Sequence, residues 1–229
     1  MSALLKAVCR SMERIAPLRL AEKWDNLDTS RSGRVVKGKS IRHCCLPSAN
    51  FQTPQTFTLS NPLQASLLKC VAEGISIYSP HTSLDSVWGG VNDWLGEGVL
   101  GSASVQAGKI ESLVGYKIGP NGEKEGAEGR LVTLSEPIAM SDLESRIKQH
   151  LGLEKIQVGY GTDAGKHGVV STVAICAGSG GSMLVGKKAD VYFTGEMAHA
   201  AIPILNADIY QSLLHGSRKN FKPRGRITT

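Results

Sequence analysis

Aromatic residues are scarce, 5% of a 229-residue chain, so any core must be mostly aliphatic. No stretch suits a membrane span. The longest uncharged run late in the chain, Gly168 to Gly186, is broken by Gly and Ser and is too polar to cross a bilayer. Cysteines in metal-binding pairs are also missing. Cys9, Cys44, Cys45, Cys70 and Cys176 form no C-x-x-C spacing, and their odd number argues against a disulfide framework and for free thiols in a reducing compartment. Acids are absent from two segments. Residues 29–50 carry Arg31, Arg34, Lys37, Lys39 and Arg42, and residues 217–229 carry Arg218, Lys219, Lys222, Arg224 and Arg226. Without these ten, the net charge of +6 becomes 16 basic residues against 20 acidic. The basicity therefore belongs to two short solvated stretches. No specific nucleic-acid partner and no membrane partner are expected, and any nucleic-acid contact is weak, non-specific and sensitive to salt.

What is present fits an ordinary globular protein, with 41% apolar and 20% charged residues. The length suffices for one sizeable domain or two small ones. The start of the chain sets Lys6, Arg10, Arg14 and Arg19 against the single acid Glu13, a balance also found in mitochondrial presequences. Leu4, Leu5, Val8, Met12 and Ile15 recur at helical spacing, however, and favour an amphipathic first helix over residues 2–16. The cytoplasm, with the nucleus as a second compartment, is expected ahead of the mitochondrion.

Residues 29–65 show no sustained period and read as loop or disorder, as does the basic end of the chain from about residue 210. Order resumes near Leu67 with a short helix to Glu73, followed by a strand over Ile75 to Tyr78. A helix is predicted from Ser86 to Leu95 and a strand from Leu113 to Ile118. A polar turn covers Gly119 to Gly129, and a second strand runs from Arg130 to Leu134. Ser141-x-x-Glu144 reads as a capping box opening a helix that carries Leu143, Ile147 and Leu151 on one face. Strands follow at Ile156–Tyr160, Val169–Cys176 and Asp190–Thr194, with a helix from Glu196. This alternation predicts a layered α/β domain of mixed sheet and helices.

Several constellations bear on chemistry. Gly181-Ser-Met-Leu-Val-Gly186-Lys187 satisfies the spacing of a phosphate-binding loop, but Lys188 stands where a hydroxyl must hold magnesium. Gly161 to His167 lacks the leading Gly. Gly178-Ser-Gly-Gly181 is either an anion cradle or simply a tight strand-to-helix turn. His81 and Asp85 stand four residues apart just past a strand, where α/β sites collect, and both side-chain types ligate divalent metals. Glu196 and His199, at i and i+3, would share a helical face, as in carboxylate-bridged dinuclear sites. Cys44 and Cys45 beside His43 lack a second pair to complete a zinc site. Asp25, Asp93 and Asp142 read as surface or capping groups.

Longer stretches carry a resemblance. Glu13–Asn26, Ile77–Asp85 with Gly90–Leu95, Arg130–Ile138, Cys176–Gly181 and Ala189–Met197 occur in the order of the NIF-three-like family, the GTP cyclohydrolase I type 2 homologues, and the chain is identified as similar to that family. The resemblance implies a NIF-three-like α/β fold, self-association around a cavity, and two divalent metals (zinc, manganese or iron) held by His, Asp and Glu. It divides the chain into an N-terminal part (1–28), a divergent segment (29–65), the main domain (66–199) and a divergent basic tail (200–229). The family's early His-Pro-Pro motif is replaced by the segment 29–65, and its late His-Ser-Asn-Thr-Glu motif is missing after Met197. The fold is thus incomplete relative to the family, as in an alternative or truncated isoform. Of the ligands only Asp85 carries over, with His81, His199 and Glu196 as neighbours of the same site. Metal binding is therefore expected to be impaired and catalysis lost. The resemblance then implies a regulatory protein with protein partners, including transcription-related ones and a co-repressor role. The alternative is a metal-dependent hydrolase acting on a nucleotide-like substrate, whose two ions would activate a bridging water.

Overall fold

The computed structural model describes residues 3–22, 25, 58–75, 81–101, 108–160, 167–196 and 210–213. The chain divides into two compact units, Met1–Leu84 and Asp85–Thr229.

The first unit opens with α1 (Ala3–Ile15), the amphipathic helix expected from the apolar spacing. Pro17 ends it, and a short 3-10 turn, Leu18–Leu20, buries Leu20. Helix α2 (Pro62–Ala72) begins earlier than the sequence pattern suggests. The side chain of Asn61 explains this, because its Oδ1 accepts from the backbone N–H of Leu63 at 3.0 Å and of Gln64 at 3.2 Å. An Asn cap followed by Pro at the first helical position is a strong start signal. Residues 58–65 thus carry a turn and a helix start rather than loop or disorder. Residues 26–57 and 76–80, which include most of the divergent segment and the strand expected before Pro80, lie outside the described residues.

The second unit is built on one sheet. Its strands are β1 (Gly108–Ile118), β2 (Lys124–Ala139), β3 (Gln157–Gly159), β4 (Val169–Cys176), β5 (Val191–Thr194) and β6 (Tyr210–Leu213). They lie side by side in the order β1-β2-β4-β5-β6-β3. The neighbours β4, β5 and β6 run parallel, and the outer pairings are antiparallel. This is the mixed sheet that the alternating elements predict. Strand β6 falls inside the basic end read as unpatterned and corrects that expectation for its four residues.

The helices are α3 (Thr82–Ser86), α4 (Val91–Leu100), α5 (Met140–Leu151) and the single turn α6 (Gly181–Leu184). The one helix expected over Ser86–Leu95 is broken into α3 and α4 by a turn at Val87–Gly90. The polar turn expected to reach Gly129 stops at Glu123, where the long strand β2 begins. The capping box at Ser141 does not form. Ala139 occupies the cap position of α5 without a side-chain bond, because the helix starts directly at the end of β2.

Period-two alternation sorts the sheet residues. Val132, Leu134, Val173, Ile175, Val191 and Phe193 face Leu95 and Val99 of α4 and Met140, Leu143, Ile147 and Leu151 of α5. Ala174, Cys176 and Tyr192 face the other way, onto Leu184 of α6. The core is almost wholly aliphatic, as the shortage of aromatics requires.

Where α4 meets α5, the His150 ring lies 4.7 Å from that of Trp94. A Cβ added to Gly98 would fall 2.5 Å from the imidazole, so only Gly lets the helices approach this closely. Nε2 of His150 is buried, with no hydrogen-bond partner among the described residues. Burial lowers the imidazole from its ordinary value of 6.5, against smaller opposing effects of the Trp94 backbone and Glu97. Between that lowered value and the ordinary one, the unfolded chain binds more protons than the folded protein. Stability is therefore full above the ordinary value and declines as pH falls through it. Urea unfolding at about pH 7.5 and about pH 5.5 should show a loss for the wild type that His150→Phe reduces. An equal loss in both proteins would contradict a neutral, buried His150.

Candidate functional site

Asp85 is held in place through its backbone. The fully buried Asn92, in the first turn of α4, donates from Nδ2 to the carbonyl of Asp85 at 2.9 Å. Its Oδ1 accepts from the N–H of Ala177, just past β4, at 2.8 Å. One amide thus ties the carboxylate-bearing segment to the carboxyl end of a central parallel strand, the position where α/β sheets place their sites.

The turn after Asp85 is held from below by Arg130 of β2, whose residue exposure is 0%. Its Nε donates to Asp93 Oδ1 at 3.0 Å and its Nη2 to Oδ2 at 2.7 Å. Nη2 also reaches the carbonyls of Ser86 and Val87 at 3.1 and 3.0 Å, and Nη1 those of Ala127 and Gly129, both at 2.8 Å. The guanidinium further stacks on Trp88, 4.1 Å from the ring centre. Trp88 Nε1 donates to the carbonyl of Lys124 at 2.9 Å. At Gly126 the turn and the strand approach so closely that a Cβ would sit 2.4 Å from the Ser86 carbonyl oxygen. Asp93, read from sequence as a surface or capping group, is the partner of this buried arginine and also accepts from the Gly89 N–H at 3.0 Å.

Charge around Asp85 is mixed. Cys176, at the end of β4, is pushed up to about 12, first by burial and then by the negative charges of Asp85 and Glu128. The thiol is therefore held in its protonated form at neutral pH. Lys117 brings its ammonium to 2.9 Å from Ser86 Oγ and 4.0 Å from Glu128 Oε1.

The other expected site residues are placed as follows. His81 lies in the first unit with Nδ1 3.2 Å from Oδ2 of Asp25, a contact without hydrogen-bond alignment. Asp25, also read as a surface or capping group, is buried. Its Oδ2 accepts from the backbone N–H and the hydroxyl of Thr82 at 3.0 and 2.7 Å. Thr82 Oγ1 in turn accepts from the Glu22 N–H at 2.8 Å, so this carboxylate fastens the chain on either side of the segment that precedes it in sequence. Glu196 is exposed just past β5, its N–H bonded to the Gly178 carbonyl at 2.9 Å. His199 and the helix expected around it, together with His43, Cys44 and Cys45, lie outside the described residues. Cys9, Cys70 and Cys176 are free thiols. The Gly178–Gly181 segment is a packed strand-to-helix turn. The Gly180 N–H is taken by Thr194 Oγ1 at 3.1 Å, and a Cβ at Gly180 would meet Cys176 at 2.5 Å.

Among the described residues, no group of three or more His, Cys, Asp or Glu is arranged to hold a metal ion. The Lys117 ammonium, bonded to Ser86 next to Asp85, offers no lone pair to a metal. No described helix is long and apolar enough to cross a membrane.

A mixed sheet under two helices, with a backbone-anchored carboxylate at the carboxyl end of its central strand, defines a layered α/β protein with a strand-end site. Residues 48–212 match the Duf34/NIF3 (NGG1p interacting factor 3) family, and the chain belongs to that family. It is 39% identical over 149 residues to the protein NIF3 homolog of Schizosaccharomyces pombe, covering 65% of this chain and 51% of that one. It is 34% identical over 165 residues to NGG1-interacting factor 3 of Saccharomyces cerevisiae, covering 67% and 52%. The chain thus spans about half the length of these curated relatives. A Bacillus cereus protein related to NIF3 shares the fold, with a TM-score of 0.61 over 90% of this chain and 86% of that one at 16% identity.

Removing the guanidinium takes away the buried cation that faces the Asp93 carboxylate and one donor from each of four carbonyls. Arg130→Met should therefore cost about 3–5 kcal/mol of stability in urea unfolding, the scale of a broken buried pair. Arg130→Lys should recover only part, since one ammonium cannot replace a planar fork. A loss below about 1 kcal/mol for Arg130→Met would contradict the role given to this residue.

Proposed function

We propose that this chain is a non-catalytic regulatory member of the NIF3 family that works through contacts with other proteins, including transcription-related ones, in the cytoplasm and nucleus. The observation that carries this reading is the surroundings of Asp85. The nearby thiol is protonated, raised to about 12, and the nearby ammonium is bonded to the adjacent Ser86. A water-activating metal pair needs several anionic and imidazole donors to offset its desolvation and mutual repulsion. A protein surface makes no such demand. The name of the Saccharomyces cerevisiae relative, NGG1-interacting factor 3, supports a protein partner. Self-association belongs to the same reading, and any zinc, manganese or iron is held weakly.

The second reading, a divalent-metal hydrolase acting on a nucleotide-like substrate, draws on the position of Asp85 beside the end of β4. One experiment separates the two. The full chain, purified and dialysed, is subjected to elemental analysis, assayed for nucleotide turnover in manganese or zinc, and titrated with purified NGG1-type protein with and without chelator. The expected result is less than one tightly held metal per chain, no turnover, and saturable association that chelator leaves unchanged. Two tightly held metals, with turnover abolished by Asp85→Ala, would overturn the proposal in favour of the hydrolase.

A further inference from the structure

Strand β1 pairs with β2 in a regular antiparallel register from Gly108↔Leu134 to Val114↔Glu128. Continued, that register would set Tyr116 opposite Gly126. Instead Lys117 pairs with Gly126, because a bulge intervenes between Val114 and Lys117 and a second shift follows it. Side chains alternate faces along a strand, so a one-residue slip exchanges which of two neighbours points inward. Here it turns Lys117 onto the face of Gly126 and Glu128, while Tyr116 is left 46% exposed. Gly126 is the residue that touches Ser86, so the Lys117 side chain is aimed at the segment beginning with Asp85. Its amine, on a side chain only 19% exposed, donates to the buried Ser86 Oγ at 2.9 Å and stands 4.0 Å from Glu128. Ser86 follows Asp85 directly, so the ammonium stands between Glu128 and the anchored segment that carries the Asp85 carboxylate.

We propose that the bulge in β1 installs Lys117 as a resident counter-cation for the Asp85–Glu128 neighbourhood, supplying the positive charge that a divalent ion would otherwise bring and opposing the entry of such an ion. This deepens the non-catalytic reading and rests on it. A fixed ammonium raises the cost of adding a second cation and offers no lone pair to bind one. The cluster is thus neutralised by the chain itself. The bulge, rather than any residue of the motif around Asp85, is what sets this state.

The test is manganese binding to the dialysed full chain, followed by calorimetry and by the electron-spin signal of free manganese. The proteins are the wild type, Lys117→Met and Lys117→Arg, each checked for a native thermal transition. The wild type should bind weakly and Lys117→Met at least about tenfold more tightly, the effect of removing one nearby unit charge that is partly screened by solvent. Lys117→Arg, which keeps the charge, should stay within about twofold of the wild type. If Lys117→Met binds no more tightly than the wild type, the counter-cation proposal is overturned while the non-catalytic reading stands. If Lys117→Arg tightens as much as Lys117→Met, side-chain shape rather than charge is responsible, and the proposal again fails. If the wild type already binds two manganese ions tightly, both readings fail together.

Discussion

A guanidinium with no access to water must be neutralised and hydrogen-bonded by the protein alone. Arg130 meets that requirement with the Asp93 carboxylate, four backbone carbonyls and the face of Trp88. Its partners come from three places: the β2 backbone, the turn at Ser86 and Val87, and the first turn of α4. An aliphatic group at this position would take a donor from each of those carbonyls, and a buried acceptor left with none costs about 1–3 kcal/mol. The arginine therefore fixes where the Asp85 segment can lie, and α4 is docked onto the sheet by the same contacts.

The rest of the site follows from that docking. With α4 in place, Asn92 can reach both the Asp85 carbonyl and the Ala177 amide, which sets the segment against the end of β4. The approach of the turn to β2 requires Gly126, and the bulge in β1 brings Lys117 to the same spot. What these constraints produce is an anchored Asp85 segment with the Lys117 ammonium bonded to the adjacent Ser86 and the buried Cys176 thiol at the nearby strand end. The described fold rests on Arg130, Asn92 and the aliphatic core. The Asp25–Thr82 anchor in the first unit is of the same kind, a motif residue whose visible work is to hold backbone.

Much of the layered architecture could be read from the sequence. The period of β4 was visible because Val169 to Cys176 is a continuous apolar run, and the inner face of α5 was visible in Leu143, Ile147 and Leu151. The family could be read from ordered motifs rather than from any single one. The capping box at Ser141 misled because a strand that runs straight into a helix leaves no room for a free cap. The start of α2 was missed although Asn61-Pro62 announced it, since the polar context masked the signal. Arg130, Asp93 and Asn92 stayed hidden for another reason. The Arg130–Asp93 and Asn92–Ala177 pairings span 37 and 85 residues, and nothing in local spacing distinguishes a buried Arg–Asp pair from two surface charges. The surroundings of the Asp85 segment, Lys117 bonded to Ser86 and the buried thiol of Cys176, come from strands distant in sequence.

The central claim is that the turn after Asp85 is part of the sheet's rigid framework and not a surface loop. Amide hydrogen exchange on the native protein tests it directly. Trp88 N–H is bonded to the Glu125 carbonyl, Gly89 N–H to the Asp93 carboxylate and Gly90 N–H to the Val87 carbonyl. These three amides should open only with the β2–β4 ladder, at comparable protection. Exchange at loop rates in this turn, while β2 and β4 stay protected, would contradict the account.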